Sequence, residues 1–195
     1  MKKLLFTFLM LLTTCVVIIA QGTKTQTSQQ KDVRNLSWGC NLATVLKTED
    51  KLDSLSYVDN TLTLTGIVLG KSSIVEYQFD NNGKLFSVTI WYYHTDFTGN
   101  DAIEEFNRIR YILQDKYGEP KFTDEDWSNE TYKERPDKLG LALKLEHVKL
   151  GTFWGNNRSS ILEYMESKND NVLIYISYVS KEHLNQKKSK ERNEI

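Results

Sequence analysis

Residues 72–94 read SSIVEYQFDNNGKLFSVTIWYYH, two alternating runs on either side of Asp80-Asn81-Asn82-Gly83. The first run sets Val75, Tyr77 and Phe79 against Glu76, Gln78 and Asp80. The second sets Phe86, Val88, Ile90 and Tyr92 against Ser87, Thr89, Trp91 and Tyr93. Successive side chains of a strand point to opposite faces, so period-two alternation marks a sheet with one buried face. The β-branched and aromatic content and the Asn-Gly step predict a hairpin.

Working outward, Thr98, Asn100 and Asp101 precede a run in which Ile103, Phe106, Ile109, Leu113 and Tyr117 recur at helical spacing. Asp101 with Glu104 has the spacing of a capping box. Gly118 is placed to end the helix in a left-handed conformation, and Pro120 prevents its resumption. Upstream, Asn41 is suited to cap a short helix through Thr48, with Val45 and Leu46 facing inward. Leu55 and Tyr57 alternate in a short strand, Asp59-Asn60 turn the chain, and Leu62, Leu64 and Val68 alternate with threonines. Gly66 in that strand predicts a bulge or a close backbone approach.

Downstream, residues 121–137 (KFTDEDWSNETYKERPD) are polar apart from Trp127 and read as a long loop or an edge strand. A helix is expected from Pro136 through Leu150, although Leu141, Leu143 and Leu145 also alternate as a strand would. Strands are expected near 152–154, 160–166 and 172–179. The last of these (VLIYISYV) is apolar on both faces, as a strand covered on both sides would be. The sum is an α+β domain: a mainly antiparallel sheet of six to seven strands, with two or three helices packed on one face. Trp38-Gly39-Cys40-Asn41 and Trp154-Gly155-Asn156-Asn157 echo each other faintly. Coincidence is the preferred account, and a duplicated helix-plus-meander unit is the alternative.

The organisation expected is a signal peptide at 1–22, a flexible leader at 23–35, one domain at 36–180 and a charged, disordered or weakly helical tail at 181–195. Lys2 and Lys3 lead an apolar run from Leu4 to Ala20, and Ala20 and Gly22 stand at −3 and −1 of a cut before Thr23. An uncleaved anchor is the rival, and no later stretch is apolar enough for a transmembrane helix. Cys15 is a poor lipid-anchoring site, because Leu12-Thr13-Thr14 lacks the small residue before the cysteine and the apolar run continues past it. Cys40 is then the single mature cysteine. Without Lys2 and Lys3, 23 basic residues face 26 acidic ones, a net charge of −3. That balance argues against nucleic acid as a partner.

Candidate chemistry is sparse. His94, His147 and His183 share no metal-ligand spacing, so neither a metal site nor a cofactor is expected. Cys40 has no neighbouring activator and reads as a packing residue. Asp124, Glu125 and Asp126 beside Trp127 have the composition of a calcium or glycosidase carboxylate pair, but adjacent acids in a polar segment read first as solvated. Trp91 and Tyr93 share the strand face opposite Val88 and Ile90. With Trp127 they form the candidate ligand-binding set, offering planes to a sugar ring or a partner's apolar side chain. Burial under a helix or under the Trp127 segment is the competing expectation.

The apolar leader, Trp38-Gly39 before a short helix, the Tyr77-x-Phe79…Gly83-x-Leu85 hairpin and Lys116-Tyr117-Gly118-x-Pro120 together resemble small exported proteins of Gram-negative bacteria. The Tyr-Gly-x-Pro helix ending also resembles the small outer-membrane assembly lipoproteins, whose lipid cysteine this chain lacks. The resemblance covers most of residues 36–180 and implies an exported location, periplasmic or secreted. It carries no functional residue. The resulting expectation is a non-catalytic envelope protein that binds a glycan or protein partner. Alternatives are a glycan- or peptide-directed hydrolase using carboxylates near Asp124–Asp126, and an inhibitor or immunity-type protein.

Overall fold

A computed structural model describes residues 31–94 and 98–193. The segment expected to be a signal peptide lies outside the described residues, as does most of the expected leader. The chain runs α1 (Leu42–Thr48), β1 (Asp53–Val58), β2 (Thr61–Val68), β3 (Lys71–Phe79), β4 (Leu85–His94) and α2 (Gly99–Tyr117). It continues through β5 (Phe122–Trp127), α3 (Leu139–Lys144), β6 (Val148–Gly155), β7 (Ser159–Lys168), β8 (Asn171–Ser180) and α4 (Lys181–Asn193). The architecture is α+β with one antiparallel sheet, and among the described residues it has eight strands and four helices rather than six to seven and two or three.

The strands lie in the order β1-β2-β3-β4-β8-β7-β6-β5, so two four-stranded meanders meet along β4 and β8. The hairpins are tight because Asp59-Asn60, Leu69-Gly70 and Asn169-Asp170 all hold positive φ, whose twist matches that of the flanking strands. At the β3–β4 turn Gly83 has φ of 69°, and the Asp80 carboxylate accepts from the Asn82 and Lys84 amides. These bonds hold the Asp80 carboxyl below its usual range, with the Lys84 amide the larger cause. The sheet order has the form of a duplicated meander. The Trp-Gly echo is not part of it, since Trp38 precedes α1 while Trp154 lies inside β6.

One face of the sheet carries the core. Leu62, Leu64, Val75, Tyr77, Val88 and Ile90 on one meander meet Trp154, Ile161, Met165, Ile174 and Ile176 on the other, with Phe106, Ile109 and Leu113 of α2 above them. Thr98 caps α2 and completes its capping box with Asp101, three residues before the pair expected from sequence. Gly118 ends the helix at φ 80°, and its carbonyl accepts the Trp154 indole N–H. Helices α2 and α3 cross where Gly99 meets Gly140. A Cβ on either would run into backbone of the other helix, so only glycine permits this approach. Gly66 serves a similar close approach, to the Leu52 side chain.

Of the two readings of residues 121–137 the edge strand holds: residues 122–127 pair with β6, and short 3-10 turns follow at Glu130–Tyr132 and Pro136–Lys138. Other expectations are corrected. The helix expected through Leu150 stops at Lys144. The Glu146 and His147 amides bond back to the Leu143 and Ala142 carbonyls with Glu146 at positive φ, which frees Val148 to start β6. Leu46 faces out, leaving Val45 as the buried residue of α1. Residues 181–193 are helical.

Residues 32–36, expected in part to belong to a flexible leader, are tied to the domain. Val33 and Leu36 bridge and are buried, and the Asp32 carboxylate accepts from Arg158 at 2.6 and 2.8 Å and from the Trp38 amide. Arg34 makes a two-pronged ion pair with Glu49 at 2.7 and 2.8 Å and donates to the Tyr77 hydroxyl.

Candidate functional site

Both faces of β8 are apolar, yet among the described residues only one is covered. Val172, Ile174, Ile176 and Tyr178 enter the core, whereas Leu173, Tyr175, Ser177 and Val179 are half-buried on the side opposite α1, α2 and α3. Antiparallel register places side chains of neighbouring strands directly opposite one another. Followed across the sheet, it aligns Ile74 with Trp91, Trp91 with Tyr175, Tyr175 with Tyr164, and Tyr164 with Gly151.

This row crosses the open face at right angles to the strands. Trp91 and Tyr175 have ring centroids 4.8 Å apart and tilted by 49°, and Tyr164 follows 5.2 Å from Tyr175 at 38°. Gly151 has no side chain, and the Tyr164 ring lies within van der Waals range of the space a Cβ would take. These half-buried rings pack on one another, and among the described residues α1, α2 and α3 all lie on the other face.

Polar groups flank the row. The Trp91 indole donates to Glu76 Oε2 at 2.9 Å. On the other side Lys149 Nζ pairs with Glu166 at 3.2 Å, and the lysine is held above its usual range by its bond to Glu166. Burial pushes the Tyr164 and Tyr175 phenols upward, so both stay protonated donors near neutral pH. The surface can therefore offer aromatic contact together with anchored carboxylates and a cation.

The expected site residues separate. Trp91 stands at the centre of the open face. The Tyr93 side chain lies outside the described residues. Trp127 pairs with Val148, a core-face position, and its indole donates to Glu125, so it neither covers Trp91 nor shares a surface with it. The acidic triplet is split by strand alternation. Asp124 and Asp126 lie opposite Gly151 and Lys149 on the open face, while Glu125 lies on the other. Cys40 is half-buried, and burial pushes its thiol up, away from the reactive thiolate. Among the described residues no group of three or more His, Cys, Asp or Glu is placed to hold a metal ion.

Sequence reasoning missed Tyr164, Tyr175 and Glu76 as neighbours of Trp91. The one signal was the apolar character of the second face of β8, which has the same pattern whether a helix or solvent covers it.

A cleft of about 460 Å³ opens at one end of the sheet between the β1–β2 and β3–β4 turns and α4. Its wall is Phe86, the extra residue of the β-bulge beginning β4, stacked on His183 at 3.8 Å and 12°. Asp80, which lines the cleft, is already engaged by the turn amides.

On the covered face one group stands out. Glu163 of β7 points into the core with 0% exposure, opposite Thr152 and Ile176. Neither carboxyl oxygen nor the Thr152 hydroxyl reaches hydrogen-bond geometry, and the Tyr92 and Tyr117 hydroxyls are also buried without partners among the described residues. Burial pushes the Glu163 carboxyl up to about 9, and the Arg110 charge and nearby Thr152 offset this only in part. At neutral pH the side chain is a neutral acid. No family model, no curated protein and no solved structure matches the chain.

Proposed function

We propose that this protein is an exported component of the bacterial envelope that acts by binding a ligand or protein partner on the open face of its sheet. The observation that carries the reading is the row Trp91–Tyr175–Tyr164, three aromatic side chains in successive contact on a face that, among the described residues, no helix covers. A row of this kind gives a large apolar contact with little rotamer entropy to lose, while Glu76, Glu166 and Lys149 supply orienting polar contacts. Asp124 and Asp126 then serve as part of the rim.

The test is thermal unfolding of the chain from Thr23 onward against glycan fragments, peptides and lipid micelles. A ligand present at about a hundred times its Kd and binding only the folded state adds about 2.7 kcal/mol. For a domain of this size that raises Tm by roughly 5–10 °C. The rise should vanish in Trp91→Ala/Tyr175→Ala. A rise that survives in this variant places binding elsewhere and refutes the reading.

A further inference from the structure

We infer that the occupant of the open face is a cationic amphipathic segment of a protein partner, lying across the strands along the aromatic row; this rests on the reading above. The row continues beyond its aromatic centre. Register extends it from Ile74 through Thr65 to Asp53 on edge strand β1, and from Gly151 to Asp124 on edge strand β5. It therefore has a carboxylate at each end and an apolar, aromatic middle, over seven interstrand spacings or roughly 34 Å.

Lys149, two residues along β6 from Gly151, is matched by Glu166. Lys168 on the open face of β7 and the Lys121–Lys181 cluster by Gly155 each lie four residues along their strands from the row, roughly 13 Å away. Glu76 adds a third carboxylate against the Trp91 ring. Acids at the ends and an indole at the centre complement apolar residues flanked by lysine or arginine, which also gain cation–π contact with the rings. A neutral glycan would leave the end carboxylates unused, and an anionic polymer would be repelled by them.

The test is fluorescence anisotropy with a labelled amphipathic leucine–lysine peptide of about 22 residues, the helical length that matches the row. Its leucine–glutamate counterpart and chitohexaose serve as comparators. The lysine peptide should bind at least about tenfold tighter than the glutamate peptide, and weaken with added salt. Trp91→Ala should weaken it about tenfold or more, and Asp53→Asn/Asp124→Asn should also weaken it, whereas Asp115→Asn/Glu134→Gln, an equal charge change off the row, should not.

Trp91-dependent binding of chitohexaose or the glutamate peptide in place of the lysine peptide overturns the cationic assignment and leaves the open-face reading standing. Binding of the lysine peptide that ignores Trp91→Ala overturns the assignment and weighs against that reading too. Self-association in analytical ultracentrifugation that Trp91→Ala abolishes makes a second copy the occupant, and so overturns the assignment. Absence of lysine-peptide binding at about 1 mM overturns it as well.

Discussion

Replacing Glu163 with glutamine removes a titration from the core without changing its shape, which makes the consequence calculable. The folded-state carboxyl titrates at about 9 against 4.5 for an unburied one. Between those values folding requires the acid to take up a proton, because the unfolded chain binds fewer protons than the native one. Stability from this group is therefore fully present below about pH 4.5, is lost as pH rises through the window, and levels off above about pH 9. Each pH unit inside the window costs about 1.4 kcal/mol, so at pH 7 the native state carries a penalty of roughly 3 kcal/mol.

Glutamine is neutral at every pH, so Glu163→Gln should escape this slope while keeping the same poorly partnered polar volume. Urea unfolding of both proteins, followed by tryptophan fluorescence at each unit from pH 5 to 8, isolates the effect as a difference. The stability advantage of the variant should grow by about 1.4 kcal/mol per pH unit, reaching roughly 4 kcal/mol across the range. Other titrating groups cancel in that difference. A constant difference over the range would mean that Glu163 ionises in the folded protein near its unburied value, and would refute the argument that it is a desolvated, unpaired acid.

Two further outcomes test the packing. Gly140→Ala puts a methyl group into the backbone of α2 and should cost about 2–3 kcal/mol, read from chemical denaturation, whereas Gly151→Ala, with only Tyr164 within contact range, should cost far less. Arg34→Ala leaves Glu49, whose side chain is 7% exposed, without its cation. That should destabilise by about 3–5 kcal/mol, and adding Glu49→Gln should recover a large part of the loss, as a double-mutant cycle would show.

Much of the architecture was legible because it depends on neighbours in the chain. Alternation in 74–79 and 88–92 is a statement about which side chains share a face, and Asn82-Gly83 with the Asp80 carboxylate is chemistry internal to five residues. Phe86 was expected beside Val88, but the bulge that begins β4 turns it onto His183 and gives the core position to Leu85. Helix α2 could be read from its spacing and Gly118, with Thr98 among the candidate caps, although its capping box pairs Thr98 with Asp101 and not Asp101 with Glu104. The errors fall where two local patterns were equally good. Residues 139–150 satisfy helix and strand periods in turn, and the contest was settled by Glu146 adopting positive φ so that β6 could pair along β7. The tail lacks an apolar stripe, yet it runs directly out of β8 as a helix, with Ser180 and His183 at the junction.

Sequence by itself determined the α+β class, the central hairpin and the main helix, since periodicity and turn chemistry act within a few residues. Tertiary structure alone decided the strand order, and with it that Trp91 meets Tyr175 and Tyr164 while Trp127 lies on the opposite face. It also decided that Glu163 is enclosed with no hydrogen-bond partner among the described residues, and that residues 32–36 are bound down by Arg158 and Glu49. These are contacts between positions that can be more than a hundred residues apart. No local pattern encodes them, because burial and register belong to the assembled sheet and not to any one of its strands.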